Sequence, residues 1–171
     1  DQFLAELKAL TNHEEHGTYR AVGIKQCRLY VYIKDADYSW EETQNNAALL
    51  TPLLNSSISR LDSYTGYSRL NCISDYDPEY EIEASTTLAY GGYLNRSLGC
   101  YEMDITGFMQ RLCNYVNSLE KLEDYDESVV SRTIFIGPEA VSPFTFKHTE
   151  LQGSTAAGAP IHLEMTYTMI K

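Results

Sequence analysis

Ile161-His162-Leu163-Glu164-Met165-Thr166-Tyr167-Thr168-Met169-Ile170 is the stretch that decides the fold. Ile161, Leu163, Met165, Tyr167 and Met169 fall on one side of an extended chain. His162, Glu164, Thr166, Thr168 and Ile170 fall on the other. A period of two with one apolar side is the signature of a strand that buries one face. The expectation is a C-terminal strand tied into a sheet rather than a frayed tail.

A second strand is expected from Lys25 to Lys34. Cys27, Leu29, Val31 and Ile33 alternate there with Arg28, Tyr30, Tyr32 and Lys34. Helical spacing governs other stretches. Phe3, Leu4, Leu7 and Leu10 share one face over residues 2–10, and Gly17 closes the arm that follows. That stripe packs either on its own core or on a neighbouring molecule. Ser39 with Glu42 forms a capping box for a helix near Trp40. Thr51-Pro52 offers a fresh cap, with Pro at the first helical position, to a piece carrying Leu53, Leu54, Ile58 and Leu61. Thr106 is expected to cap a helix from Gly107 to about Lys121, with Phe108, Leu112, Tyr115, Val116 and Leu119 on one stripe.

Strands are expected near Tyr67–Ser74, at Ile82–Tyr90 ending in Gly91-Gly92, at Val129–Ile136 and at Phe144–Lys147. Residues 93–101, the acidic turn Glu120–Glu127 and Gly153–Ala159 read as loops. Helices and strands do not alternate as βαβ units. The pattern therefore predicts an α+β fold: a mainly antiparallel sheet packed with helices in one domain, 18–171, preceded by an N-terminal arm and helix, 1–17.

Composition limits the function. The 171 residues suffice for one domain, and 43% hydrophobic content suffices for a core. The net charge of -11 opposes a general grip on nucleic acid. Charge is uneven: residues 75–127 hold 12 acids and 3 bases, whereas 128–171 hold 3 of each. Asp75, Asp77, Glu79, Glu81 and Glu83 alternate as solvated acids of an extended segment, a spacing unlike a calcium loop. Arg20, Lys25, Arg28 and Lys34 with Tyr30 and Tyr32 form a small basic and aromatic patch, read as the polar face of a strand. His13-Glu14-Glu15-His16 lacks the four-residue histidine spacing of a zinc protease.

No nucleophile elbow or phosphate loop occurs, so no catalytic residue, metal ligand or cofactor is assigned, and no small-molecule substrate. Cys27, Cys72, Cys100 and Cys113 are scattered. They read as buried thiols in a reducing compartment, with two disulfides in a secreted or periplasmic binding domain as the alternative.

One resemblance adds to this. A strand, a helix opening at Tyr38-Ser39-Trp40, a Tyr-rich turn and a second strand resemble the core of rhabdovirus matrix proteins. Gly137-Pro138-Glu139-Ala140-Val141-Ser142-Pro143-Phe144 is similar to the Pro-Glu-x-x-x-x-Pro-Phe segment of vesiculovirus matrix proteins, followed here by a similar alternating strand. The resemblance covers roughly residues 25–74 and 137–170. The residues of this sequence depart from the family in being acidic overall and in containing no Lys-rich stretch and no PPxY or PTAP motif. The resemblance implies a non-enzymatic virion protein of the host cytoplasm. It would self-associate as a homo-oligomer and bridge the envelope membrane surface to the viral nucleocapsid. Phe3, Leu4, Leu7 and Leu10 would form the self-association contact. A phage tail or capsid component is a further assembly reading.

Overall fold

A computed structural model describes residues 2–10, 12, 13, 17, 18, 21–34, 50–53, 91–138 and 149–170. The expected helices near Trp40 and after Leu53, the strands at 67–74, 82–90 and 144–147, the acids of 75–83 and Cys72 lie outside these residues. The elements run α1 (Gln2–Ala9), β1 (Asn12–His13), β2 (Gly17–Thr18), β3 (Ala21–Tyr32), β4 (Leu50–Leu53), β5 (Gly91–Asn95), β6 (Cys100–Asp104), α2 (Thr106–Ser118), a 3-10 turn (Leu122–Asp124), β7 (Phe135–Pro138) and β8 (His162–Ile170). Four strands form an antiparallel sheet in the order β5-β6-β3-β8. Two-stranded ladders join β1 to β2 and β4 to β7. The α+β class with an antiparallel sheet and packed helices is therefore observed.

The sheet buries one face under the helices. Val22, Ile24, Cys27, Leu29 and Val31 of β3 and Tyr101 and Met103 of β6 meet Phe108, Met109, Leu112, Cys113 and Val116 of α2. Leu4 and Leu7 of α1 complete this core. Side chains on one side of a strand recur every second residue, yet β3 is buried at even numbers first and at odd numbers later. The ladder with β8 shifts between Ile24 and Gln26, one extra residue that turns the rest of the strand over. Strict alternation from Lys25 finds only the second half of β3, which begins at Ala21 rather than Lys25.

Along its first half β3 has no β6 neighbour, and α2 serves that edge instead. The Ile105 amide donates to the Cys27 carbonyl (2.9 Å). Thr106 Oγ1 accepts from the Cys27 amide (2.8 Å). Gln110 Oε1 accepts from the Ile24 amide (2.7 Å), and its Nε2 donates to the Val22 carbonyl (2.9 Å). The expected Thr106 cap is thus corrected. Its hydroxyl is committed to the strand, and Asp104 Oδ1 accepts from the Thr106 amide (3.0 Å) in its place. At the other end of α2, Lys8 Nζ donates to the Leu119 carbonyl, which ties α1 to a helix terminus that favours a cation.

Three further expectations change. Residues 93–101 form a hairpin rather than a loop, since β5 and β6 pair across residues 96–99. Asn95 Oδ1 accepts from the Ser97 and Leu98 amides, and Gly99 takes a positive φ of 63° to close the turn. Leu50–Leu53 is a strand, not a helix with Pro52 at its first turn. The residue before a proline is biased to extended backbone, and a two-stranded ladder leaves an edge where a missing N–H costs nothing. The expected strand Val129–Ile136 shrinks to Phe135 and Ile136, and β7 continues through Gly137-Pro138. Local polar groups win over the ladder in 126–133. Asp126 Oδ1 accepts from the Ser128 amide, and Glu127 Oε1 from the Arg132 amide (both 2.8 Å).

Candidate functional site

The N-terminal stripe divides on folding. Leu4 and Leu7 are 3% and 2% exposed and belong to this chain's own core. Leu10 packs against that core, half-buried. Phe3 alone of the four is exposed, at 38%. Leu4 and Leu7 are thus committed within the chain, and the structure does not bring the four residues to one open surface.

A different apolar surface opens at β8, at the edge of the sheet. Its register on β3 sets Leu163 opposite Leu29, Met165 opposite Cys27, Tyr167 opposite Ile24 and Met169 opposite Val22. The apolar side of the strand therefore faces the helix layer, as the alternation implies. Coverage is incomplete: Leu163 and Tyr167 remain 42% and 38% exposed, and Ile170 on the other face 51%. Met165 and Met169 are half-buried against the core. Among the described residues β3 is the one strand paired with β8. Alternation alone does not distinguish an edge strand from a central one, so this surface carries no signal in the sequence.

The opposite face of the sheet holds a polar and aromatic cluster. His162 stacks on Tyr30 (ring centroids 5.0 Å apart) and on Tyr32 (5.8 Å). Its Nδ1 lies 3.0 Å from the Pro160 carbonyl oxygen, an acceptor to which a protonated Nδ1 donates. Arg28 pairs with Glu102 across the β3–β6 ladder. Tyr30, and then Glu102, raise the Arg28 pKa further above its ordinary value, so this cation is engaged. Lys34 pairs with Glu150 (3.1 Å). Two cations of the basic patch read in the sequence, Arg28 and Lys34, are thus answered by carboxylates, as on the polar face of a strand, and Lys25 is exposed. Arg20 lies outside the described residues.

Cys100 and Cys113 are fully buried free thiols. Burial pushes both up from their ordinary pKa, which favours the protonated thiol. Cys27 is buried as well. Among the described residues no group of three His, Cys, Asp or Glu is placed to hold a metal ion. None of their helices is long and apolar enough to cross a membrane. What the arrangement offers chemically is an edge: along β8, backbone donors and acceptors that no other described strand pairs, flanked by half-exposed Leu163 and Tyr167. No protein-family model, curated protein or solved structure matches this chain.

Proposed function

We propose that the protein is a non-enzymatic structural protein of matrix type, which self-associates and bridges an envelope membrane to a viral nucleocapsid. The observation that carries the reading is the half-exposed apolar row of β8 at the sheet edge. Soluble proteins that work alone usually blunt such an edge, because an open, long and apolar strand recruits other chains. An assembly protein has a use for it. The resemblance to rhabdovirus matrix proteins at 137–170 includes this strand, and the α+β architecture is compatible with it. Virion and host-cell cytoplasm are the compartments that this reading carries, and buried thiols suit the second.

Light scattering against protein concentration, at low and high salt, tests the reading. A reversible rise from monomer to larger species is expected. Because the contact is apolar and the chain strongly acidic, added salt should screen repulsion and favour the rise. A monomer at every concentration and salt would refute self-assembly.

A further inference from the structure

We propose that the partner of the β8 edge is β8 of a second copy, paired antiparallel about a two-fold axis at Thr166. This deepens the matrix-type reading and rests on its claim of self-association. Three observations lead here. First, among the described residues β8 lacks the usual protections of an edge. It is nine residues long, His162–Ile170, with no Lys, no Pro and a single acid, Glu164. The irregularity of the β3–β8 ladder sits in β3, so β8 stays regular. Strands that avoid edge-to-edge pairing are short, charged, kinked or covered.

Second, both of its faces are accessible. Leu163 and Tyr167 are exposed on the helix side, and Thr166, Thr168 and Ile170 on the other. A second strand can therefore approach without first displacing side chains from the edge.

Third, the strand complements itself. Pairing centred on Thr166 uses all nine residues and sets Leu163 opposite Met169 and Met165 opposite Tyr167, so the apolar row continues unbroken into the second sheet. Glu164 then faces Thr168, whose hydroxyl can donate to it, and His162 faces Ile170. Moving the centre to Glu164 would set two carboxylates against each other, which destabilises a directly opposed pair. Centring on Tyr167 would set Leu163 opposite Lys171, breaking the row. Centring on Met165 would draw in Ile161, outside the strand, and leave Ile170 without a partner. The Thr166 register alone satisfies the row, the charges and the full strand length. Its product is an eight-stranded sheet across two copies, with helix layers on the same side. A nine-residue edge contact is smaller than the roughly 1,200–2,000 Å² interfaces of stable complexes, so the pair is concentration-dependent.

Disulfide trapping tests the register. At the axis the two residues 166 would stand about 4.5–5.5 Å apart at Cα, within reach of a disulfide. Residues 168 would be four positions out of register, roughly 13 Å apart at about 3.3 Å per residue, beyond reach. T166C and T168C are oxidised mildly in the full chain, with disulfides located by peptide mass spectrometry and assembly followed by light scattering. The expected result is a 166–166 link at least tenfold more abundant than the 168–168 link. Equal yields, or none at 166 while the protein still self-associates, would overturn this contact and leave assembly standing. A strictly monomeric protein with neither link would overturn both.

Discussion

At the residue scale, single side chains stand in for missing strands and fill close approaches. Gln110 holds two backbone groups of β3 where no strand reaches them, and Asn114 Oδ1 accepts from its amide (2.8 Å), which fixes its rotamer. Removing a partner from a shielded backbone group costs about 1–3 kcal/mol. Gln110→Ala is therefore expected to lower stability by that order in urea unfolding. Gln110→Glu should not restore it, since it sets a carboxylate against the Val22 carbonyl. Gly91 sits at φ 82°, and a Cβ there would meet the Glu102 carbonyl oxygen at 2.6 Å. Gly91→Ala should cost at least about 1–3 kcal/mol through backbone strain and the clash, measured the same way. Leu7 sits in the core, so Leu7→Ala should cost about 2–5 kcal/mol and lower the melting temperature. A polar residue at position 7 is expected to unfold the chain, not merely to detach a contact between subunits. None of these roles is written in the sequence: Gln110 is one polar residue on an amphipathic helix, and Leu7 reads alike on an inward or an outward stripe.

At the scale of elements, legibility follows locality. α1, α2, the Gly153–Ala159 loop and β8 were readable because each carries its own period or turn chemistry. β6 went unread: residues 93–101 read as loop, although Tyr101, Met103 and Ile105 alternate with Glu102 and Asp104, and Gly91-Gly92 read as the end of a strand over 82–90. Those glycines take positive φ at a bulge and open β5. β4 and β7 pair over more than eighty positions, a contact that no local pattern announces. The acidic turn after α2 is more ordered than its charge implies. Tyr125 packs on Tyr115 (5.3 Å), lies under Arg132 (5.6 Å) and donates its hydroxyl proton to the Val130 carbonyl. Burial, and then Glu127, push the Tyr125 pKa up to about 12 from its ordinary 10. A raised folded-state value favours the protonated phenol in the fold. Its contribution is present below the unfolded-state pKa and lost as pH rises through about 10 to about 12. Tyr125→Phe should therefore be less stable at pH 9 and lose stability less steeply toward pH 12, compared by urea midpoints at both ends.

At the scale of the whole molecule, the α+β class followed from two alternating strands and two amphipathic helices without βαβ order. The proposed assembly surface does not follow from the same pattern. The N-terminal stripe reads as packing either on its own core or on a neighbouring molecule, and Leu4 and Leu7 fill the core; β8 reads as a strand with one buried face, and among the described strands it ends its sheet. Which amphipathic face stays uncovered depends on how many elements compete for one core, and that is settled only by the complete packing. Self-assembly through β8 is the central claim. Sedimentation velocity of the wild type beside L163K/Y167K, over a range of concentrations, tests it most directly. Lysines on an edge strand oppose pairing, and both positions are exposed, so the fold should survive as judged by circular dichroism. The wild type is expected to grow reversibly in mass with concentration, and the folded variant to stay monomeric. A folded variant that assembles as the wild type does would contradict it.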